Sequence, residues 1–335
     1  MIRRQCLWFC EPFRLDIREE PLPPPKEDEI CVQNIYSAIS PGTELLFYRG
    51  QIPSNMVADT SIQALQQPMT YPLPYGYASV GKIVDIGAGL PETYLGQLVF
   101  AFQPHASHFV SPIDSVHFVP PDVTPEDAVF LANMETAVSF VMDGQPMIGE
   151  RALIFGQGVV GLLCTRLLSQ FPLEEIACID SHPLRRTQAQ RWGAHQTFHP
   201  QAILPKDRDI CFELSGNPKA LNQAIECTGY HGRIVVGSWY GNKPVQLDLG
   251  GAYHRSQIRL IASQVSNIQP QWRGRWSSSR RLEVAWSMLK KYSPHQLITH
   301  RFAFKNSTQA YEMLDAYPQD IIQPILVHNQ PHTQG

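Results

Sequence analysis

The stretch that decides the fold is FGQGVVG, residues 155–161, which sets Gly156, Gly158 and Gly161 at G-x-G-x-x-G spacing. The spacing alone marks only a Gly-rich turn, so its surroundings decide the reading. RALIF (151–155) precedes it, a short apolar run suited to a buried strand. VVGLLCTRLLSQF (159–171) follows, with Val160, Leu163, Leu167 and Leu168 at helical spacing. EIACID (175–180) then reads as a second buried strand ending in Asp180, 19 residues past Gly161. Strand, Gly-rich turn, helix, strand and acid make the order of a Rossmann βαβ unit.

Each part has a physical role. Gly156 permits the tight turn, Gly158 lets a pyrophosphate approach the backbone, and Gly161 lets helix and strand pack closely. The free N–H groups of Val159, Val160 and their neighbours, with the positive end of the helix dipole, suit phosphate. Asp180 is suited to the adenosine ribose hydroxyls and opposes a 2′-phosphate, which favours NAD over NADP. Arg185 and Arg186 lie close by in sequence and could offset that preference. Gln157 inside the turn, and Ser215, Gly237 and Ser238 at the ends of two later strand patterns, complete the expected lining with Thr136.

The 335-residue chain is long enough for two domains. Its net charge of −3 does not point to nucleic acid or an anionic membrane. No apolar run approaches a membrane span, and the apolar stretch of MIRRQCLWFCEP stops too early for a secretory leader, so the expectation is cytoplasmic. The seven cysteines form no C-x-x-C pair, and Cys164, Cys178 and Cys211 read as small buried hydrophobes.

Residues 1–120 show short β-rich runs punctuated by PLPPP, PYG and VPPD, which predicts a compact β-barrel-like domain. TPEDAVFLANMETAVSFVMD (124–143) predicts one helix with Thr124 as N-cap. Strands at 209–216 and 232–239 flank a helix at 217–228. Helices at 277–292 and 306–317 and a strand at 323–328 close the chain.

Over nearly its full length the chain resembles the medium-chain dehydrogenase/reductase superfamily of zinc alcohol dehydrogenases and quinone reductases. SAISPGTE, YGYASVGKIVDIG, FGQGVVG…CID and LITHRFAFKNSTQAYEML carry the resemblance. It implies an α/β fold with a GroES-like β-rich catalytic domain in two pieces (1–134 and 263–335) around a Rossmann NAD(P)-binding domain at 135–262. It also implies an active site in the cleft between the domains, and a homodimer. SAISPGTELLFYRG and YPLPYGYASVG resemble the bacteriochlorophyllide dehydrogenase branch more closely. Zinc-type members carry Cys-x-Thr-Asp where this chain has PGTE (41–44), and Gly-His-Glu where it has GYA (76–78). Pro41, Tyr77 and, near the remaining cysteine position, Ala132 replace the ligands. Residues 100–120, where the structural zinc lobe falls, hold no cysteine. Proline and alanine side chains cannot coordinate zinc and tyrosine does so rarely, so no metal is expected in the usual place.

The implied reaction is hydride transfer between NAD (with NADP an option) and a small alcohol or ketone. Reduction of an activated C=C bond is the alternative, and a dinucleotide-binding sensor or structural protein without turnover is the alternative of another class. Without zinc, side chains must polarise the carbonyl and move the proton. Thr43 falls at the family's proton-relay hydroxyl, against a turn-capping reading. Tyr77 can donate to a developing alkoxide, against a packed aromatic. His105 can shuttle a proton, against a hydrogen-bonded loop histidine; His108 would face the other way on a strand. Glu135 is either a group beside the nicotinamide or a helix residue. A relocated metal site of His105, His108 and Glu135 matches no standard spacing. Arg273 and Arg275 in WRGRWSSSRRLE offer a clamp for a substrate carboxylate or phosphate, against solvated arginines at a helix start.

Overall fold

The computed structural model describes residues 2–53, 56–57 and 62–328. At the N-terminus β1 (Ile2–Glu11) pairs antiparallel with β2 (Arg14–Leu22), Leu7 opposite Ile17. Leu7 and Phe9 are fully buried. β3 (Glu29–Ala38) leads into α1 (Pro41–Tyr48), where Pro41-Gly42 alone suggests a turn. Proline is at home in a first helical turn, because it lacks an N–H that would be unpaired there. The short β4 (Leu73–Pro74) adds to β1, and β5 (Ser79–Ile86), β6 (Leu98–Ala101), β7 (His108–Pro112) and β8 (Val116–Phe118) follow.

The helix expected over 124–143 is two. Thr124 Oγ1 accepts from Asp127 N and caps α2 (Pro125–Ala128). A break at Val129–Phe130, both fully buried, separates it from α3 (Leu131–Gly144). The chain divides here into two units, residues 1–132 with 286–335, and residues 133–285.

The second unit is a parallel sheet of β9 (Arg151–Phe155), β10 (Glu175–Ile179), β11 (Gln196–Phe198), β12 (Arg208–Glu213), β13 (Thr228–Val236) and β14 (Arg259–Ala262). Their order is β11-β10-β9-β12-β13-β14, the 3-2-1-4-5-6 order of a doubly wound sheet. The connecting helices are α4 (Val159–Leu168), α5 (Pro183–Arg191) and α6 (Pro218–Cys227). Leu153, Ile179, Cys211, Leu221, Ile225 and Ile234 share one core. Each large side chain buried there contributes roughly 1.5–3 kcal/mol. The strand order reverses between β9 and β12, which puts a crevice at their C-terminal ends.

The resemblance places residues 263 onward in the catalytic domain; in the structure 263–285 belong with the Rossmann unit, tied to α3. Ser263 donates to Asp143 Oδ2 (2.5 Å), and Arg281 pairs with Glu135 (2.9 Å), both acids on α3. α7 (Ser278–Tyr292) leads back to the first unit. There β15 (Ile298–Ala303), α8 (Ser307–Ala316) and β16 (Gln323–Val327) complete a sheet ordered β15-β16-β3-β5-β6-β8, with β7 paired to β3.

Candidate active site

The first candidate centre lies at the crevice of the parallel sheet. Gly156 has φ +87°, and a Cβ there would lie 2.5 Å from Ser215 Cα. At Gly161 a Cβ would lie 2.0 Å from Gly156 O, so helix and turn could not close. Gly158 differs. It caps α4 from outside with φ −67°, and a Cβ there would meet nothing within 4 Å. Two glycines are thus required by the fold and the third faces open space at a helix N-terminus, which suits a phosphate.

Asp180 follows β10 with its carboxylate already oriented. Oδ2 accepts from Gln157 N at 2.7 Å and Oδ1 from His182 N at 2.8 Å, and each oxygen keeps a lone pair for a ribose hydroxyl. The Gln157 side chain turns inward, with Thr165 Oγ1 donating to its Oε1 at 2.9 Å, so only its backbone serves the cradle. Val159 is buried and Val160 half-buried. Arg186 is anchored to Asp180 O at 2.7 Å, while burial lowers the basicity of Arg185 and Asp180 opposes that effect.

The next two loops are tied together. Gly216 N donates to Ser238 Oγ (2.8 Å), and Ser238 Oγ lies 3.3 Å from Glu213 O. Glu213, fully buried, accepts from Ser215 N, Ser215 Oγ and Tyr240 Oη. A Cβ on Gly237 would lie 2.5 Å from the Phe140 ring, so the glycine is a packing requirement. Thr136 is half-buried on α3.

The second centre lies at the start of α1. The Tyr77 hydroxyl bonds to Ser40 Oγ, and Thr43 Oγ1 lies 3.4 Å from it. Behind them Glu44 and His105 are fully buried, 2.9 Å apart (Oε2 to Nε2). Glu44 Oε1 accepts from Ser40 N at 2.8 Å, and Tyr311 Oη donates to Oε2. Burial and the Glu44 charge push the Tyr311 phenol far above its usual range. His105 Nδ1 lies 2.8 Å from Ser37 Oγ, and Ser37 Oγ lies 3.0 Å from His328 Nε2. Burial first, then His105 and His108, push His328 down to about 3.

The structure brings Thr43 and Tyr77 together but gives His105 a different part. Both of its ring nitrogens are taken, and it offers none to a substrate. Gly76 makes room for it: a Cβ there would lie 2.7 Å from the imidazole. His108 starts β7 half-buried, its Nδ1 3.1 Å from Ser107 Oγ. Glu135 lies in the other unit. It is buried and held by Arg281 Nε and Nη2, and burial lifts its carboxyl while Arg281 opposes. His105 thus has no free ring nitrogen for a metal, and Glu135 is held by Arg281 within its own unit. Arg273 Nε donates to Ile268 O, and the exposed Arg275 lies 5.4 Å from the Trp272 ring centroid.

Residues 159–279 match the family model of zinc-binding dehydrogenases. D-xylulose reductase of Saccharomyces cerevisiae is 25% identical over 230 residues, 64% of this chain and 61% of that one. The chain thus spans about three fifths of the first curated relatives it matches. A 2-desacetyl-2-hydroxyethyl bacteriochlorophyllide A dehydrogenase of Rhodobacter capsulatus is 26% identical over 303 residues, 86% of this chain and 87% of that one. The fold matches a short chain alcohol dehydrogenase from Escherichia coli CFT073, solved with NADH, at a TM-score of 0.77 and 17% identity over 97% and 99% of the two chains.

These matches support the resemblance to the medium-chain dehydrogenase/reductase superfamily, with the family model covering 121 of the 335 residues. The two-part α/β fold is the one the sequence predicts. The residues present fit a dinucleotide: the open face at Gly158 would serve as a cradle for its phosphates and Asp180 as acceptor for its ribose hydroxyls. Pro41, Tyr77 and Ala132 stand where the resemblance puts the zinc ligands of the zinc-type members; proline and alanine side chains cannot coordinate a metal, and Glu44 and His105 bond to each other. The residues missed from the sequence are those behind the hydroxyls. Glu44 was in view within PGTE, but Ser37, Tyr311 and His328 carry no local signal.

Proposed function

We propose that the protein is an NAD(P)-dependent oxidoreductase that exchanges a hydride with an alcohol or ketone, using side-chain hydroxyls in place of zinc. The observation that carries the reading is the cradle. Gly156 and Gly161 are demanded by packing, and Gly158 leaves open space at the N-terminus of α4, where a phosphate could approach the backbone. Backbone N–H groups of α4 would hold the pyrophosphate and Asp180 the ribose, with Thr136, Ser215, Gly237 and Ser238 lining the rest. Asp180 favours NAD. A bound nicotinamide supplies the hydride acceptor or donor.

The proton step falls to Tyr77, Ser40 and Thr43. A phenol held by a serine hydroxyl can donate to a developing alkoxide, and the chain of hydroxyls can pass the proton on. The substrate is a small molecule. Named relatives act on sugars and on a bacteriochlorophyllide, so the alcohol or ketone itself is the shared feature. A homodimer is the proposed assembly.

Replacement of the zinc ligands also favours a sensor that binds the dinucleotide without turnover. One experiment separates the two: NADH binding and oxidation of an alcohol panel by wild type and Tyr77→Phe. Turnover that drops about 100-fold or more in Tyr77→Phe, with NADH affinity kept, supports catalysis. Binding without turnover on any alcohol, ketone or enone supports the sensor.

A further inference from the structure

Ser37 joins two histidines. Its hydroxyl lies 2.8 Å from His105 Nδ1 and 3.0 Å from His328 Nε2, and His105 Nε2 lies 2.9 Å from Glu44. Glu44, His105 and Ser37 are fully buried, and His328 is 3% exposed. β3, α1, the segment before β7 and the residue after β16 supply one residue each. At the far end, His328 and the half-buried His108 line a pocket of about 290 Å³ with Gln33, Asn34, Ser107 and Phe304. The His328 Nδ1, on the side of the ring away from Ser37, is buried without a hydrogen-bond partner, as is Asn34 Oδ1.

A hydroxyl between two imidazoles has two consistent settings. With His105 neutral, His328 Nε2–H donates to Ser37, Ser37 donates to His105 Nδ1, and His105 Nε2–H donates to Glu44. Bringing one proton to His328 Nδ1 reverses both hydrogen bonds at Ser37, while His105 Nε2–H still donates to Glu44. The Nε2 proton passes to Ser37, and the Ser37 proton passes to His105 Nδ1. His328 is then neutral in its other tautomer, and His105 is an imidazolium paired with the Glu44 carboxylate. One proton has entered, and no bond other than O–H and N–H has changed.

We propose that His328, Ser37, His105 and Glu44 form a proton relay between the pocket at His108 and the interior behind Ser40, Thr43 and Tyr77. Glu44 also holds the Ser40 backbone, so the charge of the His105–Glu44 pair is set beside the residue that holds the Tyr77 hydroxyl. The groups facing the relay are Tyr311 from α8, with Tyr75 and Tyr77 behind it, and His108 from β7. Arg3, Glu19 and Lys305 stand at the pocket rim. Use of the relay in turnover rests on the oxidoreductase reading; the relay itself does not.

The test is ring-nitrogen NMR on protein carrying ¹⁵N-histidine. The expected result is that His328 is protonated on Nε2 at neutral pH, and that His105 and His328 shift together on acidification. Ser37→Ala should leave only His105 responding, and Ser37→Thr, which keeps the hydroxyl, should restore the joint response. Separate midpoints in wild type, or joint behaviour surviving in Ser37→Ala, would overturn the relay. If Ser37→Ala does not fold, exchange of the His105 ring N–H with water decides instead. His328→Phe should slow it about tenfold or more, and unchanged exchange overturns the relay. A solvent isotope effect on kcat that is the same in wild type and His328→Phe would remove the relay from turnover. A protein that oxidises no alcohol would sink the oxidoreductase reading and leave the NMR test standing.

Discussion

Replacing Arg281 by methionine should cost the Rossmann unit a large share of its stability. Arg281 is 2% exposed and Glu135 is 6% exposed, so the pair sits outside solvent screening. Arg281 gives Nε and Nη2 to Glu135 Oε1, and its Nη groups also reach Val265 O, Asn267 O and Ser139 Oγ. Removing the guanidinium strands the carboxylate and frees the 263–277 segment from α3. Breaking a buried pair from one side costs roughly 3–5 kcal/mol. In a unit of this size that lowers Tm by on the order of 10 °C. Glu135→Gln with Arg281→Met should recover about half of the loss, because no buried charge remains unpaired. Chemical and thermal unfolding of both single variants and the double variant make the cycle. A loss below about 1 kcal/mol in Arg281→Met, or a double variant no better than the single, would refute the reasoning. It would also return Glu135 to the candidates for chemistry.

The other predictions concern the two centres. Gly158→Ala should leave Tm within a few degrees, because its φ and its surroundings accept a Cβ, yet weaken NADH binding about tenfold or more; Gly161→Ala should fail to fold, as solubility and circular dichroism will show. Asp180→Asn should shrink the ratio of NADP to NAD dissociation constants toward one, measured by nicotinamide fluorescence. Acid stability should reflect His328: its folded-state pKa of about 3 lies below the usual value near 6.5, so its contribution is complete above pH 6.5 and is lost as pH falls toward 3. Unfolding curves of His328→Gln over that range should be flatter than those of wild type.

The Rossmann unit was legible because its signals are local. Strand, glycine spacing, helix and Asp180 all fall within 30 residues, from 151 to 180. The β-rich part was legible as a class but not in its connections. α1 was missed although Pro41 sits where a helix accepts proline, because Pro-Gly reads first as a turn. Burial of His105 was not legible, since its partners Ser37 and Glu44 lie 68 and 61 residues away. Glu135 looked like a site residue until Arg281, 146 residues on, was found paired with it. Local chemistry nominates polar residues, and the partner that decides their role comes from the far side of the fold.

The most direct measurement is a zinc assay and an NADH titration on one purified sample. The expected result is zinc well below one per chain with saturable micromolar NADH binding, unchanged after treatment with a chelator. One tightly held zinc per chain, or no NADH binding at millimolar concentration, would contradict the proposed metal-free dinucleotide site.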